Sequence, residues 1–66
     1  MRVMVNGTPR ELPGGAAVRD AVELVTTAPA GVAVALNDEV VSRAAWASTP
    51  LADGDRIEVL TAVQGG

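Results

Sequence analysis

Sixty-six residues carrying a formal net charge of −3 allow one domain with a thin stability margin, because a chain this short buries only roughly 60% of the surface it exposes when unfolded. The sequence has no cysteine and no histidine, which excludes a disulfide framework, thiolate ligation of zinc or iron–sulfur clusters, and the commonest general base. Its five basic residues are all arginine and lie scattered, so the basic patch that a nucleic-acid binder needs is missing. The acidic balance suits docking onto a basic protein surface instead.

The hydrophobic 48% of the chain is mostly Val and Ala, with one Trp and no Phe or Tyr. Branched Val fits a pleated surface, so this composition favours a small sheet over a helical bundle. Arg2 to Asn6 alternates as a strand does, with Val3 and Val5 on one face. Asn6-Gly7 then supplies a tight hairpin, since both residues accept positive φ. Thr8 to Leu12 returns as a strand that Pro9 confines to an edge, and Pro13-Gly14-Gly15 breaks it.

Ala17 to Thr26 reads as the main helix. Val18, Ala21, Val22 and Val25 make one apolar stripe, with Arg19, Asp20 and Glu23 opposite. Thr26-Thr27 and Pro29-Ala30-Gly31 end it. Val32 to Asn37 is nearly continuously apolar, the pattern of a strand covered on both faces. Asn37-Asp38 turns the chain, Glu39 to Arg43 is a short strand, and Ala44 to Ala47 is one helical turn carrying Trp46. After the Asp53-Gly54-Asp55 turn, Arg56 to Val63 is the closing strand and Gln64-Gly65-Gly66 trails as a tail. The expected order is β-β-α-β-β-β, with the first and last strands paired in parallel at the sheet centre and one helix on one face.

Several short patterns yield to plain structural readings. Asp53-Gly54-Asp55 lacks the six to eight oxygen ligands of a calcium site and reads as a turn. Gly14-Gly15 matches no phosphate-binding pattern and reads as a loop entering the helix. Trp46 reads as packing, and Arg43 as a solvated charge at a strand end. Along the last strand, Ile57 and Val59 should face the core, while Glu58, Leu60 and Ala62 face outward. Leu60 and Ala62, with one of Val40 and Val41, would then form an apolar patch for a partner beside the tail. No apolar segment of about 7–15 residues follows a basic start, and none approaches the roughly 20 residues of a membrane span, so a cytoplasmic protein is expected.

Taken together, Val32-Ala33-Val34-Ala35-Leu36-Asn37, Val40-Val41-Ser42-Arg43, Trp46, Leu51, Asp53-Gly54-Asp55, Ile57 and the final Gly65-Gly66 resemble the ThiS family. The likeness spans essentially the whole chain and is most specific in its second half. Ser42 departs from the proline that many members carry before the arginine, a difference that touches strand geometry at most. The resemblance implies an α+β fold, the ubiquitin-like β-grasp: a mixed sheet of four to five strands packed against one main helix. It also implies a β-grasp domain over 1–63 and a flexible C-terminal tail over 64–66.

The resemblance further implies a sulfur carrier for the thiazole moiety of thiamine, a protein cosubstrate and not an enzyme. The Gly66 carboxylate is then the reacting group, adenylated and converted to a thiocarboxylate, with Gly65 and Gln64 as the tail that enters partner active sites. The implied partners are an E1-like adenylyltransferase of the ThiF type, a thiazole synthase of the ThiG type, and a sulfur donor such as a cysteine desulfurase. No cofactor, no nucleic acid and no membrane is expected, and the free protein should be a monomer. Chemistry supports a glycine tail here. Glycine tolerates nearly any φ/ψ, so it threads a narrow channel, and residues 64–66 span about 10 Å at roughly 3.3–3.6 Å each.

Read alone, a terminal Gly-Gly is a modest signal and is more simply the frayed end of a domain. A missing cysteine suits a carrier that holds sulfur on an acyl group, and a missing lysine removes amines that would attack an activated copy. Three alternatives stay open at this point: a molybdopterin synthase small subunit or other MoaD-like carrier, a ubiquitin-like protein modifier, and a β-grasp binding module without covalent chemistry.

Overall fold

A computed structural model of the chain describes residues 1–27 and 31–61. Five strands and one α-helix follow in the order β1 (Arg2–Val5), β2 (Thr8–Glu11), α1 (Val18–Val25), β3 (Val32–Leu36), β4 (Glu39–Val41) and β5 (Arg56–Thr61), with a 3₁₀ helix over Arg43–Ser48 before β5. They form one mixed sheet in the order β2-β1-β5-β3-β4. The expected parallel pairing is present: β1 runs beside β5 with Met4 opposite Arg56 and Val5 opposite Ile57. β3 pairs antiparallel with β5 from Val32↔Thr61 to Leu36↔Ile57. The topology is the β-grasp arrangement.

Both hairpins are set by residues that tolerate left-handed backbone. Asn6 and Gly7 have φ of 50° and 80°, and Asn37 and Asp38 have 49° and 72°. Two successive positive φ values give the tight turn whose twist matches the flanking strands. Pro9 sits on the outermost strand, where its missing N–H removes no rung from the sheet.

The α-helix is one residue shorter at each end than the periodicity suggests. Ala17 and Thr26 are its caps, and Asp20 Oδ2 accepts the Ala17 N–H at 2.8 Å, which satisfies one of the orphan donors of the first turn. Of the expected stripe, Val18, Ala21 and Val22 are buried, whereas Val25 is exposed in the last turn. Pro29 and Ala30, taken above as part of the helix stop, lie outside the described residues. Among those described, no helix is long and apolar enough to cross a membrane.

The core lies between α1 and one sheet face. Val3, Val5, Val34, Ile57 and Val59 meet Val18, Ala21 and Val22, and Leu12, Ala16, Trp46 and Leu51 close the ends. Each fully buried aliphatic side chain contributes about 1.5–3 kcal/mol, and Ile57, Val3, Val18 and Val22 are the largest of these. Two elements correct the sequence reading. β4 stops at Val41 and does not reach Arg43, because Ser42 opens the 3₁₀ helix and its carbonyl accepts the Ala45 N–H at 2.9 Å. β3 is covered on one face only: Val34 is buried, but Ala33 on the opposite face is exposed.

Candidate functional site

The residues expected to carry the chemistry, Gln64, Gly65 and Gly66, lie outside the described residues, as does Ala62 of the expected patch. What the structure describes is the platform that leads to them. β5 is the central strand, held by β1 on one side and by β3 on the other. Its last described residue, Thr61, is opposite Val32 of β3. The strand is therefore registered in the sheet up to the residue before Ala62.

Alternation along β5 places Ile57 and Val59 in the core and turns Glu58 and Leu60 to the open face. Leu60 is 69% exposed there, and Val40 of β4 is 84% exposed. The register brings them onto one surface: Ala33 lies opposite Leu60, and Ala35 lies opposite both Glu58 and Val40. The two small alanines leave a shallow hollow of about 110 Å³ bordered by Val40, Leu60 and Glu58. Of the two valines considered for this patch, Val40 belongs to it, while Val41 packs against the core. Alternation puts Val32, Val34 and Leu36 on one face of this run and Ala33 and Ala35 on the other, but with all five residues apolar the sequence reading expected both faces to be covered.

The rim of this face is charged. Arg56 Nη2 donates to Asp38 Oδ2 at 2.9 Å, and Arg2 Nε to Glu11 Oε2 at 3.2 Å. The hydrogen bond and charge of Asp38 hold the Arg56 guanidinium above its ordinary pKa, with Glu58 adding to the effect. Such exposed pairs contribute little to stability. They shape the potential that an approaching partner meets.

A larger groove of about 640 Å³ lies on the helix side, lined by Arg19, Glu23, Thr26, Arg43, Trp46 and neighbours. Trp46 is buried to 5% exposure, and its indole N–H donates to Val41 O at 3.0 Å, so it is a packing residue as the sequence reading had it. Arg43 is exposed. This groove lies on the helix side, whereas Leu60 on the open face stands one residue before the last described position of β5, so the open face is the stronger candidate despite its smaller hollow.

Asp53-Gly54-Asp55 is structural. Gly54 takes φ of 89°, Asp53 Oδ1 accepts the Arg2 N–H at 2.7 Å, and Asp55 accepts from Ala52 N and Asn37 Nδ2 at 2.7 and 3.0 Å. These carboxylates are spent on main-chain and amide donors. Among the described residues no group of three or more His, Cys, Asp or Glu could hold a metal ion.

Two asparagines do more than the sequence reading assigned. Asn37 Oδ1 accepts the Arg56 N–H at 2.9 Å, which ties the β3–β4 turn to the start of β5. Asn6 reaches Val59, 53 residues away, accepting its N–H at 2.8 Å and donating to its carbonyl at 3.1 Å. Asn at a positive-φ turn position was legible, but a side-chain partner on a distant strand was not.

The chain matches the ThiS family over residues 3–66. It is 30% identical to the sulfur carrier protein ThiS of Escherichia coli, over the full length of both chains. It is 39% identical to the protein of the same name from Thermus thermophilus, over 97% of this chain and 98% of that one. The crystal structure of the thiamine biosynthesis protein (ThiS) from Geobacter metallireducens superposes with a TM-score of 0.77 at 35% identity, covering 100% of both chains.

Proposed function

This chain belongs to the ThiS family, and from that membership we propose that it is a sulfur carrier of thiamine biosynthesis whose reacting group is the Gly66 carboxylate. The observation that carries the reading is the end-to-end match to relatives named as sulfur carriers, which reaches Gly66. The domain then comprises residues 1–63, and Gln64, Gly65 and Gly66 are the tail that enters partner active sites. It works as a cosubstrate in the cytoplasm and is a monomer when free.

The chemistry follows from the weakness of a carboxylate as an electrophile. In the active site of a ThiF-type adenylyltransferase, a Gly66 carboxylate oxygen attacks the α-phosphorus of ATP and pyrophosphate leaves. A persulfide, formed on a cysteine desulfurase or another donor, attacks the acyl carbon through its terminal sulfur, and AMP leaves. A second thiol then attacks the donor's sulfur in the resulting acyl disulfide, releasing the Gly66 thiocarboxylate and a donor–thiol disulfide. A ThiG-type thiazole synthase takes the sulfur. Both enzymes must keep water from the activated acyl group, hence a buried site and a tail thin enough to enter it.

The face carrying Leu60 and Val40, with Ala62 as its continuation, is the docking surface for these enzymes. An apolar patch with a charged rim has the anatomy of a transient interface. Leu60→Asp should raise the KM of the activating enzyme for the carrier by tens of fold, about 2 kcal/mol in binding, with the melting temperature nearly unchanged because Leu60 is exposed. Unfolding of that variant, or an unaltered KM, would refute the surface.

The carrier reading is tested by intact-mass spectrometry after incubation with the adenylyltransferase, ATP, a cysteine desulfurase, cysteine and a reducing thiol. One oxygen at Gly66 should be exchanged for sulfur. A ladder of conjugated proteins would instead identify a modifier. Absence of both adenylate and thiocarboxylate would end the proposal.

A further inference from the structure

We propose that Asn6 is a deamidation site held shut by β5: its side-chain amide is lost when the contact with Val59 opens, and the product cannot restore that contact. In this reaction the Gly7 backbone nitrogen attacks Asn6 Cγ, its proton leaves with the amide group as ammonia, and a cyclic succinimide forms. Water then opens the ring at one of its two carbonyls. Aspartate results, or isoaspartate, in which the side chain has become part of the main chain. Water is the only co-reactant, and nothing is oxidised or reduced.

Three turns of the described chain place an Asn or Asp just ahead of a positive-φ residue: Asn6-Gly7, Asn37-Asp38 and Asp53-Gly54. They are not equally open to ring closure. Asp53 offers a carboxylate, a poor electrophile, and the Gly54 N–H is bound to the Arg2 carbonyl at 2.8 Å. Asn37 is followed by Asp38, whose side chain crowds the attacking nitrogen, and its amide is engaged by the Arg56 N–H and by Asp55 Oδ1. At Asn6 the next residue has no side chain, and a Cβ built on Gly7 would meet no atom within 4 Å. Both residues are exposed to water, and the Gly7 N–H has no hydrogen-bond partner among the described residues.

What guards the site is the Asn6 amide itself. Its Oδ1 accepts the Val59 N–H at 2.8 Å and its Nδ2 donates to the Val59 carbonyl at 3.1 Å. With both amide atoms fixed on β5, Cγ is not free to turn toward the Gly7 nitrogen. Local opening of a strand end costs less free energy than unfolding the whole domain, so the folded chain reacts, but slowly. Either product sets an acceptor where the Val59 carbonyl needs a donor. Isoaspartate also lengthens the backbone of a two-residue hairpin whose turn fixes the strand register. Refolding reverses neither change.

The experiment needs only the wild-type protein, incubated in mildly alkaline buffer either folded or unfolded in urea. Peptide mapping by mass spectrometry follows the exchange of NH2 for OH at Asn6 and Asn37, and enzymatic methylation scores isoaspartate. In the folded arm the exchange should be confined to Asn6 and be slower than in urea by at least about tenfold. At urea concentrations below the unfolding transition, its rate should rise in step with hydrogen exchange of the Val59 amide. Equal rates in the two arms, a folded rate indifferent to Val59 exchange, Asn37 reacting ahead of Asn6, or no reaction at Asn6 in either arm would overturn the proposal. Asn6→Asp reproduces the aspartate product and should melt about 5–15 °C below wild type. Failure of that variant to fold would bear out the loss of the β5 contact, and a wild-type melting temperature would refute it.

Discussion

Deleting Gly66 is expected to abolish sulfur loading while leaving the fold intact. A chain ending at Gly65 still carries a terminal carboxylate on a glycine, so neither charge nor flexibility is lost. Only reach changes, by roughly 3.3–3.6 Å. The attacking oxygen must come within about 3–3.5 Å of the α-phosphorus, and a misplacement of about 1 Å already lowers a rate by on the order of a hundredfold. A shift of a whole residue should therefore bring thiocarboxylate formation below detection in the intact-mass assay. The core of the described residues ends at Val59, so the melting temperature should match wild type. Loading of the shortened chain at a rate near wild type would sink the proposal that Gly66 is the reacting group.

The second large effect concerns stability. Trp46→Ala should lower the free energy of unfolding by about 3–5 kcal/mol. The domain as a whole is expected to have about 3–10 kcal/mol, so this variant would be partly unfolded at room temperature. The reason lies in the composition. In a core of Val, Ala, Leu and one Ile, Trp46 is the largest side chain and the only aromatic one. Its indole N–H also binds the Val41 carbonyl. Urea titration followed by circular dichroism would measure the loss, and the melting temperature should fall by roughly 15 °C or more. A loss below about 1 kcal/mol would mean that the 3₁₀ helix can detach without loosening α1.

Much of this fold was legible residue by residue. Asn6-Gly7, Asn37-Asp38 and Gly54 marked three turns because few other residues accept their backbone angles. Period-two alternation in β5 sorted Ile57 and Val59 from Glu58 and Leu60, and the helical stripe identified Val18, Ala21 and Val22. The sequence reading failed where apolarity carried no direction. Ala33 and Ala35 look like core residues in a run with Val32, Val34 and Leu36, yet they floor the open face. β4 was read two residues too long because Ser42 keeps extended angles, φ −65° and ψ 150°, while opening the next helix. The contact between Asn6 and Val59 was invisible for another reason: it depends on parallel pairing between the two ends of the chain.

The same parallel pairing fixes where anything joined to the amino end must emerge. Arg2 stands level with the turn before β5, and Thr61 lies seven residues farther along the shared direction, about 20 Å away at the rise of a strand. The Met1 amino group is fastened there by a 2.8 Å hydrogen bond to the Leu12 carbonyl. A leash, label or solid support attached ahead of Met1 therefore leaves from the opposite edge of the molecule. The end of the sheet at which the described part of β5 finishes stays clear.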